Sequence, residues 1–395
     1  PKGSGAAATT NNRIAVERKL RDHKGRTVLR SLDCNWESRP SLGAGVASMA
    51  HGAAAKKRIF VVSSYDRAYL WSQSTQEGLV AAMLKFGYLD TAAQGEVFTR
   101  TDQVESSTAV VRKMWMDTKR ANSQAAIAAA TQRIMLSVRE FRPDLVMLGD
   151  DNAAHYIGNQ LLDSATPVVF WGINGLPLKY GLVDSMDQPG HNVTGVWQQG
   201  YFKESLELLL KLVPSAKTFA ILGCDSETSR PWAKQIQVLA REGRLPLQLA
   251  GTVMTNAFEE FKTQSMALAR KVDAFFVLNH DTMKDAQGQH VDVLVVGKWY
   301  LENIKKPEAT AEDQFVLEGL LSTANDYGYN QSTMALEMAR EILEQGFNPA
   351  HMRPRTPARG PLMVNTLRAQ ALGIQLSDEM RKAVQSIHTS AALKR

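Results

Sequence analysis

From residue 58 onward, short apolar runs alternate with longer segments in which apolar residues recur at helical spacing. RIFVVSS has the continuous apolar character of a buried strand. The segment LWSQSTQEGLVAAMLKFG that follows carries apolar residues three or four positions apart, namely Leu79, Ala82, Met83 and Phe86. Strands that alternate with helices along a chain form parallel sheets with helices on both faces. The pattern therefore predicts an α/β fold.

The alternation occurs in two sets, which predict two lobes. In the first set the strands are RIFVVSS, GEVFTRT, DLVMLGD and TPVVFWGI, and the later helices cover 122–141 and 153–162. In the second set, helices at 202–213, 232–242 and 258–271 alternate with the strands TFAILGCD, PLQLAGTVMT and DAFFVLNHD. We expect two doubly wound parallel-sheet lobes joined by crossing strands. The first covers 58–190 with about 303–326, and the second covers 191–302 with about 327–395.

The N-terminal segment differs from this body in composition. Residues 1–57 show no core pattern and are predicted to be a disordered leader or extension. Ser48, Met49 and Ala50 have the small-x-small form of a secretory cleavage site, although the apolar segment that should precede such a site is poor. An ordinary tail of a cytoplasmic protein is the alternative.

The net charge of +6 comes from this same segment. Residues 1–58 hold 12 basic and 4 acidic residues, which leaves 34 basic and 36 acidic residues in the rest of the chain. The body is therefore nearly neutral, and no nucleic-acid partner is expected. The two cysteines, Cys34 and Cys224, are too few for a disulfide framework or a cysteine-rich zinc site.

Polar residues follow the predicted strands at five places: 63–66, 149–152, 171–174, 223–226 and 279–281. Open α/β sheets bind ligands at the carboxyl ends of their strands. We therefore expect one cleft lined by these strand ends and by the segments that cross between the lobes. The candidate ligand-binding residues are Ser64, Tyr65, Asp66, Trp71, Asp150, Asp151, Trp171, Asn174, Thr194, Asp225, Asn279, Asp281 and Asp326.

Asp150 and Asp151 have two interpretations. Adjacent carboxylates at a strand end can form a catalytic pair or hold a cation, but no motif supplies a partner nucleophile, so helix capping or ligand contact is favoured. No pair of histidines has zinc-site spacing, and no Walker loop or Gly-x-Ser-x-Gly elbow occurs after a strand. We expect no catalytic residue, metal or cofactor.

The residues of the predicted cleft favour a particular ligand chemistry. Its strand-end loops carry many acids and, nearby, only one base, Arg67. Because a buried carboxylate needs a partner, an amine or several hydroxyls are expected on the ligand, with an aromatic or apolar part stacked on Tyr65, Trp71 or Trp171. Alternatively, several of the acids cap helices, and the two tryptophans fill cores. Trp299 lies in a helical run and is predicted to pack in a core.

Five segments carry a resemblance to a known family, namely PDLVMLGDDNAAHYI, TPVVFWGINGLPLKYGLVDSMDQPGHNVTGV, KESLELLLKLVPSAKTFAIL, MALEMAREILEQGFNPAHMRP and LMVNTLRAQALGIQLSDEM. They resemble ABC-transporter substrate-binding proteins with a type I periplasmic-binding fold. GLVDSMDQPGHNVTGV is similar to the family's crossing between lobes, and the resemblance covers about 58–383. VSSYDRAYLWSQSTQEGL resembles a tryptophan- or tyrosine-uptake branch or a related sensor branch. The segment WYLENIKKPEATAEDQFVLEGLLSTANDYGYN is only loosely similar to the family's return segment.

The resemblance implies capture of a small solute without chemistry, in the periplasm, by a monomer. A membrane permease and an ATPase of an ABC transporter are the implied partners. Closure about the crossing segments 192–195 and 325–328 would bury the solute. The alternative is a sensory module that uses the same fold to report a ligand to a partner protein. A sugar-regulated repressor would need a DNA-binding helix pair, which residues 1–55 do not show.

Overall fold

The computed structural model describes residues 55–394 and, separately, two short strands near the N-terminus. These strands, β1 (Leu20–Arg21) and β2 (Thr27–Val28), pair in antiparallel register within a small unit of their own. Residues 55–57 of the predicted leader are described, and Lys57 already begins a strand of the second unit. Apart from β1 and β2, the rest of the predicted leader over 1–57, with its cleavage-site motif, lies outside the described residues. The second unit contains both predicted lobes.

The strands of the second unit form two sheets. In chain order they are β3 (Lys57–Ser63), β4 (Gln103–Glu105), β5 (Ala109–Trp115), β6 (Leu145–Gly149), β7 (Val168–Ile173), β8 (Val193–Trp197), β9 (Thr218–Gly223), β10 (Gln248–Met254), β11 (Ala274–Val277), β12 (Glu308–Thr310), β13 (Ser322–Thr323), β14 (Met363–Asn365) and β15 (Gln385–Ile387). The first sheet has the order β4-β5-β3-β6-β7-β8, and the second has the order β10-β9-β11-β12-β13-β14-β15. Neighbouring strands are parallel except in the pairs β4–β5 and β13–β14. The predicted α/β fold with parallel-dominated sheets is confirmed.

Helices cover the faces of these sheets. In chain order they are α1 (Leu70–Lys85), α2 (Ala92–Thr101), α3 (Gln124–Phe141), α4 (Asp150–Asn152), α5 (Asn159–Leu161), α6 (Phe202–Leu212), α7 (Ser229–Arg241), α8 (Phe258–Ala269), α9 (Val293–Asn303), α10 (Asp313–Glu318), α11 (Gly328–Gln345), α12 (Thr366–Ala371) and α13 (Asp378–Ala383). A π-helical stretch, Ala153–Gly158, joins α4 to α5, so the predicted helix over 153–162 is present but wider than an α-helix.

The central strands of the first sheet are buried on both faces. Every residue of β6 and β7 is buried, as a parallel strand between two helical layers requires. Met147 of β6 packs on the layer formed by α1 and α11, whereas its neighbours Val146 and Leu148 pack on the layer formed by α3 and the π-helical stretch. This continuous apolar character is the reason that the sequence predicted these two strands correctly.

The segment GEVFTRT is helical, so its prediction as a strand is wrong. It lies in α2, which begins with a capping box in which the Thr91 side chain accepts from the Gln94 backbone and the Gln94 side chain accepts from the Thr91 backbone. Phe98 is the large apolar side chain that α2 buries. The second strand is β5 (Ala109–Trp115), which pairs with β3 along its whole length. The upstream cap, rather than the β-branched residues of the segment, determines the local structure.

The two lobes exchange segments differently from the prediction. β12 and β13 belong to the second sheet, whereas α11 packs on α1 and buries Ala335 and Leu336 in the core of the first lobe. β8 also pairs with the first sheet. The predicted boundaries, 58–190 with 303–326 and 191–302 with 327–395, are therefore wrong. By sheet and core membership, the first lobe contains β3–β8 with α1–α5 and α11, and the second contains β9–β15 with the other helices.

Three segments of chain cross between the lobes and are bonded to one another. The Gly200 backbone donates to a carboxylate oxygen of Asp326 at 2.8 Å, and the Gly360 backbone donates to the Asn325 carbonyl at 2.9 Å. The Tyr201 hydroxyl donates to the carbonyl of Pro357 at 2.9 Å. The crossing predicted near 325–328 is present. The one predicted near 192–195 belongs to β8 of the first sheet, and the chain crosses further on, at Gly200 and Tyr201. The third crossing, near 355–360, was not predicted.

Candidate functional site

Side chains of the two lobes contact each other where the parallel strands end. The Tyr65 hydroxyl lies 3.3 Å from the Thr228 hydroxyl, and the Tyr69 hydroxyl donates to the Asp281 carboxylate. The Lys119 ammonium lies 3.0 Å from Asp281 and 3.3 Å from the Thr228 hydroxyl oxygen. The tyrosines and the lysine come from the first lobe, and Thr228 and Asp281 come from the second. The strand ends therefore form the floor of a cleft between the lobes.

Asp150 follows β6 in a backbone conformation that few residues other than glycine adopt, with φ of +70°. Its carboxylate accepts a hydrogen bond of 2.6 Å from the Trp71 indole nitrogen. Gly172, with φ of +69°, lies against both of these side chains. An added Cβ at this position would lie 2.7 Å from the Asp150 carboxylate and 3.3 Å from the Trp71 ring. A side chain at position 172 would therefore displace the carboxylate, so Gly172 allows Asp150 and Trp71 to meet.

Asp151 holds the loop that follows β7. One of its carboxylate oxygens accepts from the Asn174 backbone at 2.9 Å, the Gly175 backbone at 3.3 Å and the Tyr180 hydroxyl at 2.5 Å. The other oxygen is buried and has no hydrogen-bond partner among the described residues, and the same holds for the side-chain nitrogen of Asn174. Asp151 therefore fixes the position of Asn174 and still has one free acceptor.

The buried acids of the cleft differ in charge. Burial raises the pKa of Asp150 to about 8, although the hydrogen bond from Trp71 opposes this, and it raises the pKa of Asp151 to about 6. Burial also raises the pKa of Glu312 to about 8. For Asp281 burial acts in the same direction, but the adjacent Lys119 ammonium outweighs it and lowers the pKa of that carboxyl. At neutral pH Asp281 is therefore ionised, whereas Asp150 and Glu312 largely keep their protons.

A second group of buried polar residues extends from the cleft toward the crossing segments. The Gln198 amide donates to Glu312 at 3.1 Å, and Gln314 donates to the same carboxylate. Ser74 of α1 donates to Asp313 at 2.9 Å and so connects the first lobe to the second. The side-chain oxygen of Gln198 has no partner among the described residues. Sequence reasoning did not predict this group, because it assigned 303–326 to the wrong lobe.

Two cavities open beside Lys119, and Asp281 lines the first of them. The first has a volume of about 250 Å³ and an apolar wall formed by Tyr69, Val293 and Leu294. The second has a volume of about 260 Å³ and a polar wall that includes Thr228 and Asn256. Both cavities lie between the lobes, so the cleft has an apolar end and a polar end.

Six of the predicted ligand-binding residues lie together in this cleft. Asn279 donates to Asp281 at 3.3 Å, and its side-chain oxygen has no partner among the described residues. Trp71 packs with two tyrosines in a small buried cluster. The residues brought to the cleft floor are Tyr65, Trp71, Asp150, Asp151, Asn279 and Asp281, with Asn174 in the adjoining loop.

Four other candidates are occupied with structural contacts. The Ser64 hydroxyl donates to the Gly149 carbonyl and accepts from the Ala153 backbone, both at 2.7 Å, so it joins β3 to β6. Thr194 donates to the Met352 carbonyl at 2.6 Å, next to a crossing segment. Asp326 bonds within the crossing itself. Trp171 is 1% exposed and belongs to the apolar core of the first lobe.

The remaining two candidates lie at the edge of the cleft. A carboxylate oxygen of Asp66 accepts from the Ala68 backbone at 2.9 Å. Asp225 is about half exposed and forms an ion pair of 2.8 Å with Arg230. Neither acid caps a helix as the alternative interpretation has it, since the N-caps of α1 and α7 are Tyr69 and Thr228. Trp299 packs edge-on against Phe258 and Phe261, so its prediction as a packing residue is confirmed.

Sequence reasoning did not predict Lys119, Tyr69 or Thr228. Lys119 follows β5, and since GEVFTRT had been taken as the second strand, the loop after the true strand was not considered. Tyr69 immediately precedes α1 and lies just beyond the strand-end segment 63–66 that was considered. Thr228 precedes α7 in the loop of another predicted strand end. A search of every position after β5 and before each helix would have found all three.

A polar contact joins the lobes at the rim of the second cavity. The Tyr156 hydroxyl donates to Glu227 at 2.9 Å, and the His155 ring nitrogen lies 3.6 Å from the same carboxylate. The adjacent Glu227 carboxylate raises the pKa of His155, and the His155 ring in turn lowers the pKa of Glu227. His155 and Tyr156 belong to the first lobe and Glu227 to the second, so this contact favours the closed arrangement.

Replacing Glu227 with glutamine should lower the pKa of His155 toward its ordinary value, because the neutral amide no longer stabilises the imidazolium. The pKa is measured by following the His155 ring resonance by NMR between pH 5 and 9. The His191 ring, which contacts Asp163 and Asp184 elsewhere in the first lobe, serves as the internal control. An unchanged His155 titration would mean that the two lobes do not meet at this rim in solution.

Among the described residues, no group of histidine, cysteine and acidic side chains is arranged to hold a metal ion. Cys224 is a buried free thiol. None of the helices of the described part is long and apolar enough to cross a membrane.

Two α/β lobes with a polar cleft between them are the architecture of type I periplasmic binding proteins, and solved structures support this assignment. The protein described as an ABC domain in complex with L-Trp from Streptococcus pneumonia is 20% identical, with a TM-score of 0.65, over 84% of this chain and 99% of that chain. A conserved domain protein from Vibrio cholerae is 16% identical, with a TM-score of 0.65, over 84% and 99% of the two chains. The ligand-free, open form of a substrate binding protein with adhesive properties from Clostridium difficile is 21% identical, with a TM-score of 0.59, over 85% and 100%.

The sequence itself identifies the family. The family model for ABC transporter substrate binding proteins matches residues 109–387, which is more than half of the chain. The chain therefore belongs to the family of ABC transporter substrate binding proteins. A search of curated proteins gave no match.

Proposed function

We propose that the protein captures a small polar or amine-bearing solute in the cleft between its lobes and delivers it to the membrane permease of an ABC importer. The solute is released unchanged, and an ATPase on the other side of the membrane drives its import. The protein acts outside the cytoplasm, in the periplasm. The family supports the class of function, and the residues of the cleft support the type of solute.

The observation that carries this proposal is the convergence of buried polar groups from both lobes. Tyr69 and Lys119 of the first lobe bond to Asp281 of the second, and Tyr65 contacts Thr228. Solutes bound between two lobes stabilise the closed arrangement because they contact both faces at once. Asp151, Asn174 and Asn279 retain buried polar atoms that a solute can satisfy.

The chemistry of the cleft favours an amine on the solute. Asp281 is ionised, and buried aromatic rings lie beside it, so a cation with an apolar part suits both. The Streptococcus protein was solved in complex with L-Trp, an amine-bearing aromatic solute. Aromatic amino acids are therefore the first solutes to test.

The deciding experiment is native mass spectrometry of the protein as isolated, followed by calorimetric titration with the solute that is released on denaturation. We expect one small molecule per protein, recovered with unchanged mass after prolonged incubation. Recovery of a chemically altered solute would overturn the transport proposal in favour of an enzyme. If none of the candidate solutes binds the refolded protein, the proposal is wrong altogether.

Replacing Asn174 with alanine should weaken solute binding about tenfold to a hundredfold, because a buried amide that can bond to the solute is lost. The Asn174 backbone bond to Asp151 is kept, so the loop should remain in place. Calorimetric titration measures the affinity, and a thermal melt checks that the fold is intact. Asp225→Asn is the control, since that side chain is paired with Arg230 at the rim and its substitution should leave the affinity within about twofold. Parent-like affinity of Asn174→Ala would place the solute elsewhere in the cleft.

A further inference from the structure

The ammonium group of Lys119 lies in a cage of buried groups that suit a cation. Its nitrogen is 4.2 Å from the centre of the Tyr65 ring and 5.7 Å from the centre of the Tyr69 ring. The Asp281 carboxylate lies 3.0 Å away and the Thr228 hydroxyl oxygen 3.3 Å away. Aromatic faces, a carboxylate and a hydroxyl oxygen are the groups that bind alkylammonium ions. The cage is therefore a cation site whose present occupant belongs to the protein.

Within the cage, the ion pair between Lys119 and Asp281 links the first lobe to the second. Burial alone would lower the pKa of Lys119, but the neighbouring Asp281 carboxylate outweighs it and the pKa is raised. Asp281 also accepts from the Tyr69 hydroxyl and from the Asn279 amide. Among the acids of the cleft floor, Asp281 stays ionised whereas Asp150 and Glu312 keep their protons at neutral pH. The cage therefore offers an ammonium group an ionised carboxylate together with aromatic faces.

The surroundings of Lys119 allow its side chain to leave. Its four-carbon stem is flexible, and both cavities that open between the lobes are lined by it. A lysine that turns into either cavity exposes Asp281 and the two tyrosine rings to a bound molecule. The apolar wall formed by Val293 and Leu294 then continues from the tyrosines and can contact an attached ring.

We propose that the Tyr65–Tyr69–Asp281 cage is the subsite for the ammonium group of the solute, and that Lys119 is a tethered competitor which the solute must displace. This inference rests on the proposed solute-binding function and adds two statements to it. The solute class is primary amines that carry an apolar or aromatic part. The affinity of the protein is set in part by the fraction of time that Lys119 occupies the cage.

The test uses Lys119→Met, which removes the ammonium and keeps the apolar stem. Tryptamine and indole-3-propionate are the probes, because they share an indole ring and differ in carrying an ammonium or a carboxylate. If Lys119 fills the cage most of the time, its removal should tighten tryptamine binding about tenfold or more. Indole-3-propionate should bind both proteins equally weakly. Titration calorimetry at pH 7, where Asp281 is ionised and Asp150 and Glu312 largely keep their protons, gives the affinities.

Lys113→Met is the matched control for loss of a buried lysine. Lys113 is equally buried, but its ammonium bonds to Gln76 at 2.7 Å and lies over the Trp115 ring, away from Asp281. It should bind tryptamine like the parent. The double variant Lys119→Met/Asp281→Asn should lose the gain, since the carboxylate that holds the ammonium is neutralised. If Lys119→Met does not fold, Lys119→Gln provides the same test with a polar replacement.

Two results would overturn the inference. One is a Lys119→Met protein that binds tryptamine no tighter than the parent, including the case in which neither protein binds it. The other is a loss of indole-3-propionate affinity in Lys119→Met, which would make Lys119 an anchor for a carboxylate on the solute. The proposed function is tested separately by native mass spectrometry of the parent. If a solute is found there, the proposed function stands whichever of these two results is obtained.

Discussion

Replacing Trp171 with alanine should lower the free energy of unfolding by about 3–5 kcal/mol and leave the affinity for the solute nearly unchanged. The side chain is 1% exposed and packs in the core of the first lobe with Met147, Val169 and Leu336. Its ring also lies against Gly149, where an added Cβ would be 2.4 Å from a ring atom. Removing the indole therefore leaves a cavity below the strand end and no lost contact within the cleft. Urea unfolding followed by circular dichroism measures the stability, and titration of the folded fraction measures the affinity.

Trp299→Ala is the comparison for this prediction. Trp299 is only partly buried and packs edge-on against Phe258 and Phe261 on the second lobe, so its loss should destabilise less. A different outcome for Trp171→Ala would be informative. If the variant unfolds like the parent but binds the solute more than about tenfold more weakly, the ring lies in the cleft, as the first interpretation of the sequence has it.

The case of Trp171 illustrates what a sequence pattern can and cannot decide. The run VVFWGI predicts a buried strand, and β7 is buried throughout. Residues on both faces of this strand are apolar. The pattern therefore cannot show whether the Trp171 ring packs under a helix layer or reaches the cleft at the end of the strand. Trp171 pairs in register with Gly149, and the absence of a side chain at Gly149 provides the space for the ring. That complementarity depends on two strands that are far apart in the sequence.

The predicted division of the chain into lobes failed because it, too, depends on contacts between residues that are far apart in the sequence. The three strands and three helices predicted for the second set are present as β9–β11 and α6–α8, but no local pattern shows which sheet β12 joins. The answer depends on Arg368, which is buried and bonds to Glu308 at 2.6 Å as well as to the carbonyls of Leu301 and Ile304. These contacts hold β12 in the second lobe. An ion pair between residues 60 positions apart is not visible in a periodicity.

The location of the cleft was more accessible to prediction than its chemistry. Parallel sheets bring strand ends to one edge regardless of detail, so Tyr65, Asp150 and Asp281 were found from the element order alone. Their charges depend on burial and on Lys119, which follows a strand that was misplaced. Which of these residues contact the solute stays a prediction. The structure adds that the acids are unequal, since Asp281 is ionised at neutral pH whereas Asp150 and Glu312 largely keep their protons.

This inequality leads to a large effect of pH on stability, and Asp150→Asn should remove much of it. The pKa of Asp150 is about 8 in the folded protein, compared with 3.8 for an ordinary aspartate, so the folded state keeps a proton that the unfolded state releases. The stabilisation is therefore fully present below about pH 4 and is lost as the pH rises toward 8. At about 1.4 kcal/mol for each unit of pKa difference, the loss amounts to several kcal/mol at pH 8.

Asparagine is the suitable replacement because it is always neutral, keeps an oxygen that accepts from the Trp71 indole, and tolerates the positive φ at this position. Urea unfolding at pH 5 and pH 8 should show that Asp150→Asn resembles the parent at the lower pH and exceeds its stability at the higher one. Asp150→Ala is the control. Like Asp150→Asn, it has no carboxyl group to titrate at this position. It should be less stable than Asp150→Asn at both pH values, because the Trp71 nitrogen loses its partner and alanine disfavours the left-handed backbone. If the parent and Asp150→Asn lose stability in parallel between pH 5 and 8, the Asp150 carboxyl is ionised in the folded protein, and a positive group must lie closer to it than Lys119 does.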